Sequence, residues 1–202
     1  MLVSGENYLK DQLNPAAAEN DMTDDKRLVE RFNQGDKSAF DRIVEKYSED
    51  VAALANRLLS FSGNVDDVIQ DVFLSAFLAL RKFRHDSSLQ TWLFRITVNK
   101  CRTHQRKRTI RAKLLLTRSE TTHLEPANSS DKQLMDRETF DQVRLAVKSL
   151  PVKYREPVVL RYLQELSMSE ICSILRIKEN ALHVRLSRAR GLLKEDLAKL
   201  ME

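Results

Sequence analysis

Apolar positions recur every three or four residues along most of the 202-residue chain, the period of helices that bury one face. Phe40, Ile43, Tyr47, Val51, Leu54 and Leu58 step in this way, which predicts a long core-facing helix. Gly35 stops the helix before it, Asp36 can cap its start, and the SFSGN stretch at residues 60–64 breaks the chain after it. Thr23 with Asp24 and Asp25 makes the expected start of the shorter helix that ends at Gly35. Residues 1–22 contain Pro15 and an alanine run but no clean period, and are expected to form a flexible lead.

Between Asp66 and Phe83 the pattern splits in two. Ile69, Val72, Phe73, Ala76, Leu80 and Phe83 form the expected buried stripe. Asp67, Asp71, Leu74 and Leu78 align on another face at spacings of four, three and four, with Gln70 beside them. Acids in a first turn complement the helix dipole whatever their role, but the dipole gives no reason for two leucines to continue the same face. Acid followed by outward leucine is what a helix offers a basic protein partner.

Phe83, Arg84, His85, Asp86, Ser87 and Ser88 make a polar turn, and Ser88 or Ser87 can cap the helix that follows. In that helix Leu89, Trp92, Leu93 and Ile96 are expected inward, while Arg95, Asn99, Arg102 and Arg106 stack along one side. Guanidinium groups pair with phosphates, and an Asn amide can both donate to and accept from a base edge. A solvated arginine face is the ordinary alternative. The acid-free continuation through Lys107, Arg108, Arg111 and Lys113 argues against it.

Residues 114–130 lose periodicity and gain Ser, Thr, Pro and Asn, so they are expected to be a linker between domains at 23–113 and 131–202. In the second domain Phe140, Val143, Val147 and Leu150 stripe a first helix, and a further helical segment runs from Tyr154 to Leu163. Ser167 and Glu170 have the spacing of a capping box. A short helix, a tight turn at Arg176–Lys178 and a longer helix with Leu182, Leu186, Ala189, Leu193 and Leu197 inward then form a helix-turn-helix. Asn180, His183, Val184, Ser187 and Arg188 face away from that stripe, where such a helix meets base edges.

Composition sharpens this all-α reading. Only 4 Gly and 4 Pro occur, and 31% of residues are charged. The net charge of +5 conceals blocks: 16 acids against 11 bases in residues 1–86, then nine bases and no acid from Arg95 to Arg118, then six acids against two bases in 119–141. Separate charged blocks suit separate partners. No apolar run approaches the length of a membrane span, and the N-terminus lacks a secretion signal, so a cytoplasmic protein is expected. Cys101 and Cys172 are read as reduced thiols. Among 4 His and 2 Cys there is no metal-ligand spacing, nucleophile motif or phosphate loop, so neither an enzyme nor a cofactor or metal site is expected.

The ordered set DDVIQDVF, FRHDSSLQTWLFRITVN, SLPVKYREPVVLRYLQELSMSEI and RLSRARGLL resembles bacterial sigma factors of the extracytoplasmic-function type, which keep only the second and fourth sigma domains. The resemblance implies partners in core RNA polymerase (β′ clamp and β flap), promoter DNA and an anti-sigma factor. It places Asp67, Gln70 and Asp71 on the clamp coiled coil, and Phe83 to Ser88 around a base flipped out of the minus-ten element, with Asn99 near that pocket. It places His183, Val184, Ser187 and Arg188 on the minus-thirty-five duplex. Trp92 also matches a family position, although its stripe points to core packing. The acidic residues 120–141 would mimic nucleic acid near the RNA exit path.

The sequence departs from the family in its turns. Arg176 stands where the helix-turn-helix usually has Gly, Lys178 stands near a usual Ser cap, and Asn180-Ala181-Leu182 replaces Gly-Thr-Val. His183-Val184 replaces a basic–Ser pair, and His85 stands where Gly is common. Two other functions fit parts of the chain: a stand-alone helix-turn-helix regulator, and a sigma-like decoy that holds polymerase without initiating.

Overall fold

A computed structural model describes residues 15–59, 65–116 and 134–200. The 60–64 break, most of the expected linker, and residues 1–14 of the expected lead lie outside the described residues. Among the described residues, eight α-helices follow in order: α1 (Pro15–Asn33), α2 (Ser38–Leu59), α3 (Val65–Ala79), α4 (Leu89–Leu116), α5 (Leu134–Ser149), α6 (Val152–Val158), α7 (Met168–Leu175) and α8 (Glu179–Leu200). No described residue is in a strand. None of the described helices is long and apolar enough to cross a membrane.

Helices α1 to α4 pack as one bundle and α5 to α8 as another. In the first, Val51 and Leu54 of α2, Val72 and Ala76 of α3, and Leu93 and Val98 of α4 are sealed from solvent, which makes apolar burial the main stabilising term. The expected α2 stripe is buried throughout, from Phe40 to Leu58. Phe32, Phe40 and Phe77 meet with centroids 5.1–5.8 Å apart.

The first helix begins at Pro15 rather than at Thr23. Proline fits the first helical position and alanine has the highest helix propensity, so PAAA extends the helix backwards through the expected lead. Asp25 is therefore not part of a helix start. It lies buried inside α1, where its carboxylate accepts from Lys46 Nζ at 2.6 Å and Tyr47 Oη at 2.7 Å. Gly35 does stop the helix: its φ of 102° is open to glycine, and Asp36 N–H reaches back to the Arg31 carbonyl at 3.0 Å. Asp36 then accepts from the Ser38 N–H at 3.0 Å, closing the start of α2 from two residues upstream.

Other boundaries move for similar reasons. α3 gives way to a 3-10 turn over Leu80–Lys82, so Phe83 lies beyond the helix. α4 runs on to Leu116, past the expected domain boundary at 113. Pro157 sits inside α6, and the chain continues as a π-helical turn through Val159–Leu163, with Gln164 N–H bonded to the Val159 carbonyl at 3.0 Å.

The two bundles pack against each other. α7 lies along α4, and Arg57 of α2 donates to the Leu163 carbonyl. Their apolar interiors join in one continuous cluster.

Candidate nucleic-acid and protein interfaces

α3 presents two chemistries on opposite sides. Val68, Val72, Phe73 and Ala76 are buried, whereas Ile69, expected inward, is only half-buried. The helix is rotated slightly from the expected stripe, so Val68 takes the inner position. Asp67, Gln70 and Asp71 are exposed, and beyond them Leu74 is 59% and Leu78 71% exposed. The structure thus brings all five expected residues onto one solvent face. Burying a leucine fully is worth roughly 1.5–3 kcal/mol, so this face can reward an apolar partner whose rim is basic.

The turn after α3 is anchored on one side and open on the other. The Phe83 ring lies 5.2 Å from Trp92 and 4.6 Å from His85, centroid to centroid. Trp92 is half-buried against the core, consistent with the packing role its stripe suggested. Ser88 caps α4, its Oγ accepting from the Thr91 N–H at 3.1 Å. Arg84, His85 and Asp86 stand exposed above this aromatic floor. His85 has φ 57°, the left-handed region where glycine is usual. The backbone therefore turns there as the family's glycine would, with an imidazole added at the mouth.

The arginine stripe of α4 is divided. Asn99 and Arg106 are exposed. Arg102 forks onto the carboxylate of Glu156 in α6, with Nε 2.7 Å from Oε1 and Nη2 2.6 Å from Oε2. Glu156 is 4% exposed, and its hydrogen bonding raises the Arg102 pKa further. Arg95 Nη2 donates to Ser173 Oγ of α7 at 2.5 Å, and Thr91 Oγ1 donates to Glu170 at 3.3 Å. Glu156 was missed in the sequence, where it looked like one more charge on a helix between Tyr154 and Leu163. Its one signal was a carboxylate set directly before Pro157, Val158, Val159 and Leu160. Cys101, buried beside this pair, is pushed up to about 12 by burial and by the Glu156 charge, so its thiol stays protonated and inert. Burial also raises the pKa of Cys172.

The helix-turn-helix closes as expected. Ser167 Oγ accepts from the Glu170 N–H at 3.3 Å, and Glu170 Oε2 accepts from the Ser167 N–H at 2.9 Å, which completes the capping box. Arg176 takes φ 54° and ψ 50° and returns its N–H to the Cys172 carbonyl. The Leu182 N–H bonds to the Lys178 carbonyl at 3.1 Å as α8 begins. Leu182, Leu186 and Ala189 are buried, whereas Leu193 and Leu197 are only half-buried. Asn180, His183, Val184, Ser187 and Arg188 are all exposed along the outer side of α8. His183 Nε2 lies 3.6 Å from Glu179 Oε1, one turn back.

Two family models match the chain: Sigma-70 region 2 over residues 43–110 and Sigma-70, region 4 over residues 140–193. The ECF RNA polymerase sigma-E factor of Haemophilus influenzae (strain Rd) is 32% identical over 184 residues, covering 88% of this chain and 97% of its own. That of Escherichia coli K12 is also 32% identical over 184 residues, covering 96% of its length. Among solved structures, CnrH in complex with the cytosolic domain of CnrY aligns with a TM-score of 0.64 at 27% identity, over 87% of this chain and 98% of that one. The Bartonella quintana sigma factor RpoE, solved with the anti-sigma factor NepR, shares the fold with a TM-score of 0.58 at 24% identity, over 78% of this chain and 97% of its own. With both regions matched in order and relatives this similar along nearly their whole length, the chain belongs to the ECF RNA polymerase sigma factors.

Proposed function

We propose that this sigma factor docks on core RNA polymerase through Asp67, Gln70, Asp71, Leu74 and Leu78 of α3. It reads the minus-ten element with the Phe83–Ser88 turn and the Arg95, Asn99, Arg102 and Arg106 side of α4. Asn180, His183, Val184, Ser187 and Arg188 of α8 meet the minus-thirty-five duplex. The polymerase supplies the clamp and flap surfaces, and the sigma factor contributes binding energy and strand capture without covalent chemistry, in the cytoplasm. An anti-sigma factor is its proposed regulator, since CnrH and RpoE were solved with CnrY and the anti-sigma factor NepR.

The observation that carries the reading is the α3 face, where two leucines stand largely exposed directly beyond two exposed acids. A soluble protein keeps such a face for a partner. A stand-alone regulator leaves it without a purpose. The test is transcription: purified chain added to bacterial core polymerase on genomic DNA is expected to yield discrete start sites with a shared upstream sequence. Tight, specific duplex binding without core would favour the regulator, and core binding without any transcript would favour the decoy.

A further inference from the structure

Arg188 is tied to a different helix. Its side chain lines one cleft with Lys153 and Tyr154 of α6. The two cations hold the phenol below its ordinary range, the Arg188 hydrogen bond being the largest cause. The Lys153 ammonium also lies 4.8 Å from the Tyr154 ring centroid, a cation–π distance. Between α6 and α8 an open cleft of about 360 Å³ is floored by Ala181 and Val184 and rimmed by Lys153, Arg185 and Arg188. No acid lines it. Three cations from two helices line one cleft, an arrangement that repels itself until an anion enters.

Position along the helix tells which anion. Eight residues separate Asn180 from Arg188, about 12 Å at 1.5 Å per residue. With the start of α8 at the base edges, Arg188 stands about one major-groove width away, at the rim where the sugar-phosphate backbone runs. A guanidinium that shares a cleft with a tyrosine and a lysine of the neighbouring helix faces away from the base edges, and its fork suits a phosphate.

We propose that Lys153, Tyr154 and Arg188 form a clamp for one backbone phosphate of the upstream promoter duplex, with Tyr154 as the positioning residue that aims Arg188 at the phosphate. The inference rests on the reading of α8 as the minus-thirty-five helix. It adds α6 to the interface and assigns Arg188 to backbone contact instead of base readout.

The test uses the assembled holoenzyme and duplexes taken from start sites it selects on genomic DNA, with affinity measured against salt concentration. Lys153→Gln is expected to flatten the slope of log affinity against log salt by about 0.9, the release of one counterion, and Lys153→Arg to restore it. Tyr154→Phe keeps the ring and loses the hydroxyl. It is expected to weaken binding about fivefold on every duplex alike, the value of one hydrogen bond, and to add nothing in an Arg188→Ala background. An unchanged slope overturns the clamp, as does a Tyr154→Phe loss that persists in full without Arg188. A loss that varies with the minus-thirty-five bases also overturns it, since Arg188 would then be reading bases. If wild-type holoenzyme binds equally well with that element replaced, the reading of α8 falls and the clamp with it. If wild type needs the element while all the variants match it, the clamp alone falls.

Discussion

At the residue scale the departures from the family are local and measurable. Arg176 is held at φ 54° where the turn demands left-handed backbone, which costs an L residue roughly 1–2 kcal/mol. Arg176→Gly is expected to stabilise the chain by about 0.5–1 kcal/mol, the rest being offset by glycine's freedom in the unfolded state. Lys178 precedes α8 without the side-chain acceptor that Ser would bring, so Lys178→Ser should add about 1 kcal/mol. Denaturant titration checks both, and a lower midpoint for either would contradict the turn strain or the missing cap. Both features were legible in the sequence because turns and caps are set by a few adjacent residues. Asp36 offers a pH test of the same kind. Hydrogen bonds from Ser38 and then from Arg31 lower its pKa from 3.8 to about 2. The folded value lies below the unfolded one, so this stabilisation is complete above pH 3.8 and lost as pH falls through about 2. The unfolding midpoints of wild type and Asp36→Asn should therefore converge across that window. A constant gap between them would show that the carboxylate's charge plays no part.

At the element scale, periodicity carried most of the fold. The α2 stripe, the inward leucines at the start of α8 and the Ser167–Glu170 box all follow from spacing within one helix. Periodicity gave less on α4, where Phe94, Thr97, Val98 and Cys101 are also buried. That helix is packed on two sides, by α2 and α3 on one and α7 on the other, so no single stripe describes it. α3 is the clearer case, with one face in the core and an exposed face proposed for a partner. The double variant Asp67→Lys, Asp71→Lys is expected to reduce core-polymerase affinity at least a hundredfold, since like charges facing a basic rim cost several kcal/mol. Leu78→Ala should cost about tenfold through lost apolar burial. All three positions are exposed, so circular dichroism and thermal unfolding should match wild type. Unchanged core affinity in the double variant would sink the assignment of this face.

At the scale of the whole molecule, no local pattern signals that the two bundles close on each other. Arg102 and Glu156 are 54 residues apart, and no local pattern pairs them. Their contact matters for function because a guanidinium forked onto a carboxylate cannot hold a phosphate at the same time. In this closed arrangement Arg95 and Arg102 face α7 and α6, whereas Asn99 and Arg106 remain open. On the role proposed for the stripe, the bundles must part before all four side chains can meet a promoter strand. Glu156 is the group to alter, since it is nearly sealed while the Arg102 side chain is 38% exposed. Glu156→Gln keeps the shape and removes the charge that opposes a phosphate. Arg102→Ala instead strands a buried carboxylate, a cost of several kcal/mol when the burial is complete and smaller here because water already reaches the pair. Separation of the bundles relieves that cost, so Arg102→Ala should enlarge the radius of gyration of the free chain in solution scattering. Glu156→Gln should raise the free chain's affinity for single-stranded minus-ten oligonucleotides several-fold, with the gain shrinking at high salt. If Arg102→Ala stays as compact as wild type, and Glu156→Gln binds single strands no better, the ion pair does not hold the promoter-facing side of α4 shut.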